Sequence, residues 1–202
     1  MRSIALPLAA LLIAGACASG SMDNSDSMAA APRAQQAAPP LTDANIAAIV
    51  VAANTIDIDN GKLALERATS GEIRQFAQTM ITDHTGVNKA AGGLVTRLEV
   101  TPVANPTSVG LVESANATRA SLAARSGADF DRAYIANEVD YHRAVLTAID
   151  DALIPSAQNS ELRALLVSVR PAIAAHLQHA ESLKQQLADW CVRFVPRAHS
   201  GR

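Results

Sequence analysis

The sequence predicts an all-α protein: a four-helix bundle whose long crossover carries a short extra helix. Three observations predict it. The chain is 49 % apolar but only 3 % aromatic, and Ala and Leu dominate, which suits close-packed helices and leaves little for a β-sandwich. Four stretches carry apolar residues at alternating spacings of three and four, the seam of a left-handed bundle. Capping and helix-breaking residues separate those stretches.

The chain opens on an export signal, residues 1–17. Met1-Arg2 gives a positive head and Ile4 to Ile13 an apolar run of signal-core length. Ala14-Gly15-Ala16-Cys17 follows, and small residues before a cysteine resemble the bacterial lipobox, where the cysteine is diacylated. Ala14 stands where a lipobox usually has Leu, and ordinary cleavage after Ala16 or Ala18 is the alternative. A lipidated Cys17 would anchor the protein to a membrane. Ala18 after the cysteine resembles the signal of outer-membrane lipoproteins, so the expected location is the periplasmic side of the outer membrane. Cys191 is the only other cysteine, so lipidation at Cys17 leaves no internal disulfide.

Residues 18–41 are rich in Ser, Ala, Gln and Pro and lack an apolar period, as expected of a disordered tether. Beyond the signal, no run approaches the roughly 20 apolar residues needed to span a membrane. The net charge of −2 gives no nucleic-acid surface.

The bundle domain is expected over residues 42–187. Thr42-Asp43 caps a first helix to Ala68, with a stripe of Ile46, Val50, Ala53, Asp57, Asn60 and Ala64. Ser70 caps a second, to Leu98, whose stripe includes Met80, His84 and Val87. Thr101-Pro102 to Pro106 breaks the chain. A short helix follows over 108–124, ended by Ser126-Gly127. The third long helix runs from Ala128 to Leu153, stops at Pro155, and carries Ile135, Val139, His142 and Leu146 in its stripe. Ser160 caps the fourth, to Leu187, with Leu166, Val169, Ile173, His176 and Ala180; Pro171 inside it predicts a kink or a local break. Residues 188–202 read as a tail, in which Trp190, Val192 and Phe194 are docking candidates. Short loops make the first and last pairs antiparallel, and the roughly thirty residues between the pairs are enough to cross the bundle lengthwise.

Four polar residues interrupt these stripes near mid-helix: Asp57, His84, His142 and His176. At 1.5 Å per residue they fall within a slab of about 7–8 Å. Three imidazoles and a carboxylate then converge inside the bundle, a donor set that suits iron, zinc or copper. Glu138, four residues before His142, reaches the same place, and His179 shares the face of His176. Asn60 stands one turn beyond Asp57 as a supporting hydrogen-bond partner. Asp83 is expected to face solvent or a helix edge, and Met80 to fill the core. The competing reading is a buried histidine hydrogen-bond network in a non-catalytic envelope protein that binds a protein partner. The Glu-x-x-His di-iron signature is absent, because Ile81, Val139 and Ile173 stand three before the histidines. No phosphate loop, CxxC pair or nucleophile elbow occurs, so the residues name no reaction.

Gly61-Lys62-Leu63-Ala64-Leu65, the run from Phe76 to Thr85, Phe130-Asp131-Arg132-Ala133-Tyr134, His142 and His176 together resemble a bacterial exported family known as domain of unknown function 4142. The resemblance covers about residues 42–187. It implies a ferritin-like fold and an outer-membrane setting, and no activity. The first helix departs from the family's Glu-x-Glu-Leu-Gly, having Asp57-Ile58-Asp59-Asn60-Gly61, and Tyr141 replaces an Asp frequent before the third-helix histidine.

Overall fold

The structure is a computed structural model that describes residues 40–194, with backbone alone over 190–194. These residues are 87 % helical and contain no strand. Helix α1 spans Asp43–Arg67, α2 Gly71–Arg97, α3 Pro106–Ala123 and α4 Gly127–Ala148. A π-helical turn, Ile149–Leu153, leads into the short α5, Ile154–Ser156, and α6 spans Ser160–Phe194.

Local chemistry sets these limits. Thr42 and Asn45 form a reciprocal cap at the start of α1. Ser70 Oγ accepts from the Ile73 amide and Asn105 Oδ1 from those of Thr107 and Ser108, capping α2 and α3. At α6 the cap is Asn159, whose Oδ1 accepts from the amides of Glu161 and Leu162. Ser160, expected in that role, is the first helical residue. The helix also continues unbroken through Pro171, contrary to a local break. Pro171 is exposed and so is Val167, four residues before it, so the carbonyl that loses its donor faces water. α6 runs on to Phe194, seven residues past the expected end; the side chains of Trp190, Val192 and Phe194 lie outside the description, as do residues 1–39 with Cys17.

Helices α1, α2, α6 and α4 form a closed ring of neighbours, each packed on the next. Two apolar cores show the directions. One joins the end of α1 (Ala64, Ala68) to the starts of α2 (Ile73, Phe76) and α4 (Phe130, Tyr134) and to Ala180 and Leu183 of α6. The other joins the start of α1 (Ile46, Ile49) to the end of α2 (Ala91, Leu94), to the π-helical turn that follows α4 (Ile149, Leu153) and to Leu162 and Leu166 of α6. Thus α2 and α4 are parallel, as the long crossover requires. Helix α3 runs lengthwise outside the ring, with Leu111 on one core and Leu122 on the other.

Carboxylates tie the ends together. Asp131 of α4 accepts from the Thr69 and Ser70 amides, each at 3.0 Å, and from the Thr69 hydroxyl. Asp43 accepts from the amides of Gln158 and Asn159 at 2.8 and 3.0 Å, joining the start of α1 to that of α6. Between the two apolar cores lies a layer of buried polar residues.

Candidate metal centre

Each of the four ring helices delivers polar side chains to this layer. α1 brings Asn54, Asp57 and Asn60, α2 brings His84, α4 brings Glu138 and His142, and α6 brings His176; all seven are buried. A helix delivers a side chain inward when it replaces an apolar residue in the inward stripe, and the histidines and Asp57 do so. The imidazole ring centres of His84, His142 and His176 stand 5.3–5.7 Å apart. Each offers a ring nitrogen within 4.8 Å of the other two.

Hydrogen bonds behind the rings fix which nitrogen faces inward. Asn54 Nδ2 donates to the Val50 carbonyl at 2.7 Å, leaving Oδ1 as an acceptor. His84 Nδ1 lies 2.7 Å from that Oδ1, and so carries the proton. His142 Nδ1 donates to the Glu138 main-chain carbonyl at 2.9 Å. His176 Nε2 donates to Asp83 Oδ2 at 2.9 Å. In the neutral rings, the unprotonated nitrogens are then His84 Nε2, His142 Nε2 and His176 Nδ1. All three are buried without a hydrogen-bond partner.

Asp57 completes the layer. Its Oδ2 stands 2.8 Å from His84 Nε2 and 3.2 Å from His142 Nε2. Both approaches are at contact distance but lack the alignment of a hydrogen bond, and neither Asp57 oxygen has a partner. Burial opposes the charge of Asp57, yet the His84 and His142 imidazoles outweigh it and hold its pKa below the ordinary value. Glu138 goes the other way: burial, with the Asp57 charge beside it, pushes its pKa well up, so the carboxyl keeps its proton. Burial likewise lowers the pKa values of His142 and His176 and keeps their rings neutral. Burial and the two carboxyls raise those of Tyr134 and Tyr141.

Nitrogen lone pairs facing a carboxylate oxygen at 2.8–3.2 Å repel unless a proton or a metal cation lies among them. For metal–ligand bonds of about 2.0–2.1 Å, neighbouring donors stand roughly 2.8–3.4 Å apart. Asp57 stands at that spacing from two of the imidazoles, and the three imidazoles, with ring nitrogens within 4.8 Å of one another and outer hydrogen bonds, have the chemistry to hold a transition-metal ion. Asp57, Glu138 and His142 form a second grouping whose donor atoms also lie within 4.8 Å of one another.

The sequence-predicted site residues His84, His142, His176, Asp57 and Glu138 all reach this layer. Two supporting expectations fail. Asn60 makes no hydrogen bond to Asp57, and its Oδ1 is unpaired. His179 is exposed and packs edge-on against Phe76, 5.2 Å away, because a step of three carries it round toward α2. Asp83 is exposed as expected, but it reaches across to His176. Met80 is wholly buried in the core. Asn54 went unnoticed; its place three residues before Asp57, on the same face of α1, was the available signal.

The Gly61 run, the Phe76–Thr85 run and His142 and His176 thus all lie in or beside one ring of helices. A match to the family described as Domain of unknown function (DUF4142) covers residues 28–183. The chain belongs to the DUF4142 family. Among curated proteins, none matches it. A solved structure described as "CopM in the Cu(II)-bound form" is similar in fold, at 18 % identity and a TM-score of 0.56 over 72 % of this chain and 98 % of that one. At that identity the likeness speaks for the fold alone.

Proposed function

We propose that this DUF4142 protein is an exported, lipid-anchored envelope protein that binds one transition-metal ion through His84, His142 and His176, with Asp57 as the fourth donor. One observation carries the reading: three inward ring nitrogens, oriented by Asn54, the Glu138 carbonyl and Asp83, converge without hydrogen-bond partners beside a buried carboxylate. Copper is the first candidate. A set of three imidazoles and one carboxylate suits it, and divalent copper stands highest in the usual affinity order. The protein of similar fold was itself solved in a Cu(II)-bound form. Glu138, protonated in the metal-free chain, is a reserve oxygen donor that would lose its proton on binding. Iron and zinc suit the same donors less selectively. The anchor rests on Cys17 and the apolar run before it.

Electron paramagnetic resonance of the tag-free protein with one equivalent of Cu(II) tests the reading. The expected spectrum is a single species with nitrogen hyperfine coupling, lost in His142→Ala. Free or heterogeneous copper in the wild type would favour a closed hydrogen-bond network among the same side chains.

A further inference from the structure

Three seams of the helix ring are bridged, near the level of the histidines, by bonds that no metal-facing side chain supplies. Tyr141 of α4 donates to the Ala53 carbonyl of α1 at 2.8 Å. Asn88 Nδ2 of α2 donates to Thr55 Oγ1 of α1 at 3.3 Å. Arg143 of α4 meets Glu181 of α6 at 2.7 Å. The α2–α6 seam differs, because its bridge at this level is the 2.9 Å bond from His176 Nε2 to Asp83 Oδ2, made by a histidine of the centre itself.

Asp83 carries that bond to the surface. Its side chain is 46 % exposed, against 8 % for His176, 5 % for His84, 1 % for His142 and 0 % for Asp57. Asp83 pairs with His176 rather than with a Lys or Arg, so its charge is open to an incoming cation. The helices are antiparallel here, and one turn from the bond stand Gly86 of α2 and Ala172 of α6, both exposed. A Cβ added at Gly86 would meet nothing within 4 Å, so a hydrated ion can approach.

The three ring-holding bonds differ in what breaking them costs. His84 is held by buried Asn54, and His142 by the main-chain carbonyl of buried Glu138. Releasing either ring strands a buried polar group. Releasing His176 leaves an exposed carboxylate, which water solvates. The other approach is an apolar cavity of about 230 Å³ that reaches His84 and His142 from the start of α1. No Asp, Glu, Lys or Arg lines it, so a dication there would give up its water with no charged donor to replace it.

We propose that a divalent transition-metal ion enters the centre through the α2–α6 seam, taken first by the Asp83 carboxylate and passed inward as the His176 ring rotates about its Cβ–Cγ bond. The route rests on the metal reading above, and Asp83 acts in it as the outer capture group.

The test is stopped-flow uptake of Cu(II) by the full chain stripped of metal, in a non-coordinating buffer, followed by copper quenching of tyrosine and tryptophan fluorescence. Asp83→Asn keeps an oxygen acceptor for His176 and removes the charge. It should slow uptake about fivefold or more, with the equilibrium paramagnetic resonance spectrum retained. Wild-type uptake should also slow as salt rises from about 0.01 to 0.15 M, over which the Debye length falls from about 30 to 8 Å. Asp83→Asn should lose most of that dependence, which a purely structural role for Asp83 would not touch. Glu72→Gln removes an equal exposed charge about 16 Å away along α2, and should stay within about twofold of the wild type in rate. Uptake by Asp83→Asn within twofold of the wild type overturns the route, even if affinity falls, since Asp83 would then only hold His176. Equal slowing in Glu72→Gln overturns it too, by assigning the effect to overall charge. A wild type that takes up no copper sinks the metal reading and the route together, whereas normal uptake by Asp83→Asn sinks the route alone.

Discussion

Asn54 Oδ1 stands 2.7 Å from His84 Nδ1, while the same amide is held by its bond to the Val50 carbonyl. That contact turns Nε2 of His84 toward Asp57 and fixes the ring's tautomer. Asn54→Leu keeps the branched shape and the number of side-chain heavy atoms and removes the acceptor. Metal affinity should fall about 10- to 100-fold, the usual cost of losing an outer-shell partner, with helical content unchanged. Competition with a chromophoric chelator measures it; an unaltered dissociation constant would count against this role.

Gly61 lets α1 and α2 approach. A Cβ there would lie 2.9 Å from Ile81 Cγ1 and 3.0 Å from the Ala77 carbonyl oxygen. Ile81 can rotate, but the Ala77 backbone cannot move without shifting α2. Gly→Ala in a helix ordinarily gains up to about 1 kcal/mol, so a net loss would have to come from the clash. Gly61→Ala should destabilise the chain by about 1–3 kcal/mol, read as an earlier urea midpoint. A later midpoint would mean that the helices part at little cost.

Much of this was legible in the sequence for a simple reason. Heptad spacing reports which residues face inward, and His84, His142 and His176 occupy inward positions on helices of similar length. The crossover length set the parallel course of α2 and α4. What spacing does not report is how neighbouring helices are offset and turned. Asp83 reaches His176, and His179 turns to Phe76, through contacts between α2 and α6 that neither helix's own pattern contains. Asn54 sits one position past Ala53 in the stripe and was hidden by it. Pro171 is harmless because it faces water, a fact of packing rather than of local propensity.

The metal-free layer should give stability opposing responses to pH. Burial lowers the pKa values of His142 and His176, so the unfolded chain binds protons first as pH falls past the ordinary histidine value. Stability is then lost from that pH down through the folded values. Glu138 is raised, so the folded chain holds a proton that the unfolded chain releases, and stability is lost as pH rises through its folded value. Glu138→Gln has nothing to ionise. It should remove the loss on the alkaline side and keep the acid one, in melting curves of metal-free protein between about pH 5 and 9. An alkaline slope equal to the wild type's would contradict the protonated Glu138.

Membrane attachment is expected to depend on Cys17. Cys17→Ser should move the protein from the membrane fraction to the soluble one, and the wild type should incorporate labelled fatty acid. Unchanged fractionation with no label in the wild type would remove the anchor and leave ordinary cleavage near Ala16 or Ala18.

Elemental analysis of the chain purified without a histidine tag, beside its His84→Ala variant, tests the metal centre most directly. The expected result is close to one transition-metal ion per wild-type chain and almost none in the variant, which should remain helical because Ala suits a helix interior. Binding to the wild type should weaken below about pH 6, as imidazole donors take up protons. A wild-type protein that carries no metal, and gains no thermal stability from added copper, zinc, iron or manganese at neutral pH, would contradict it.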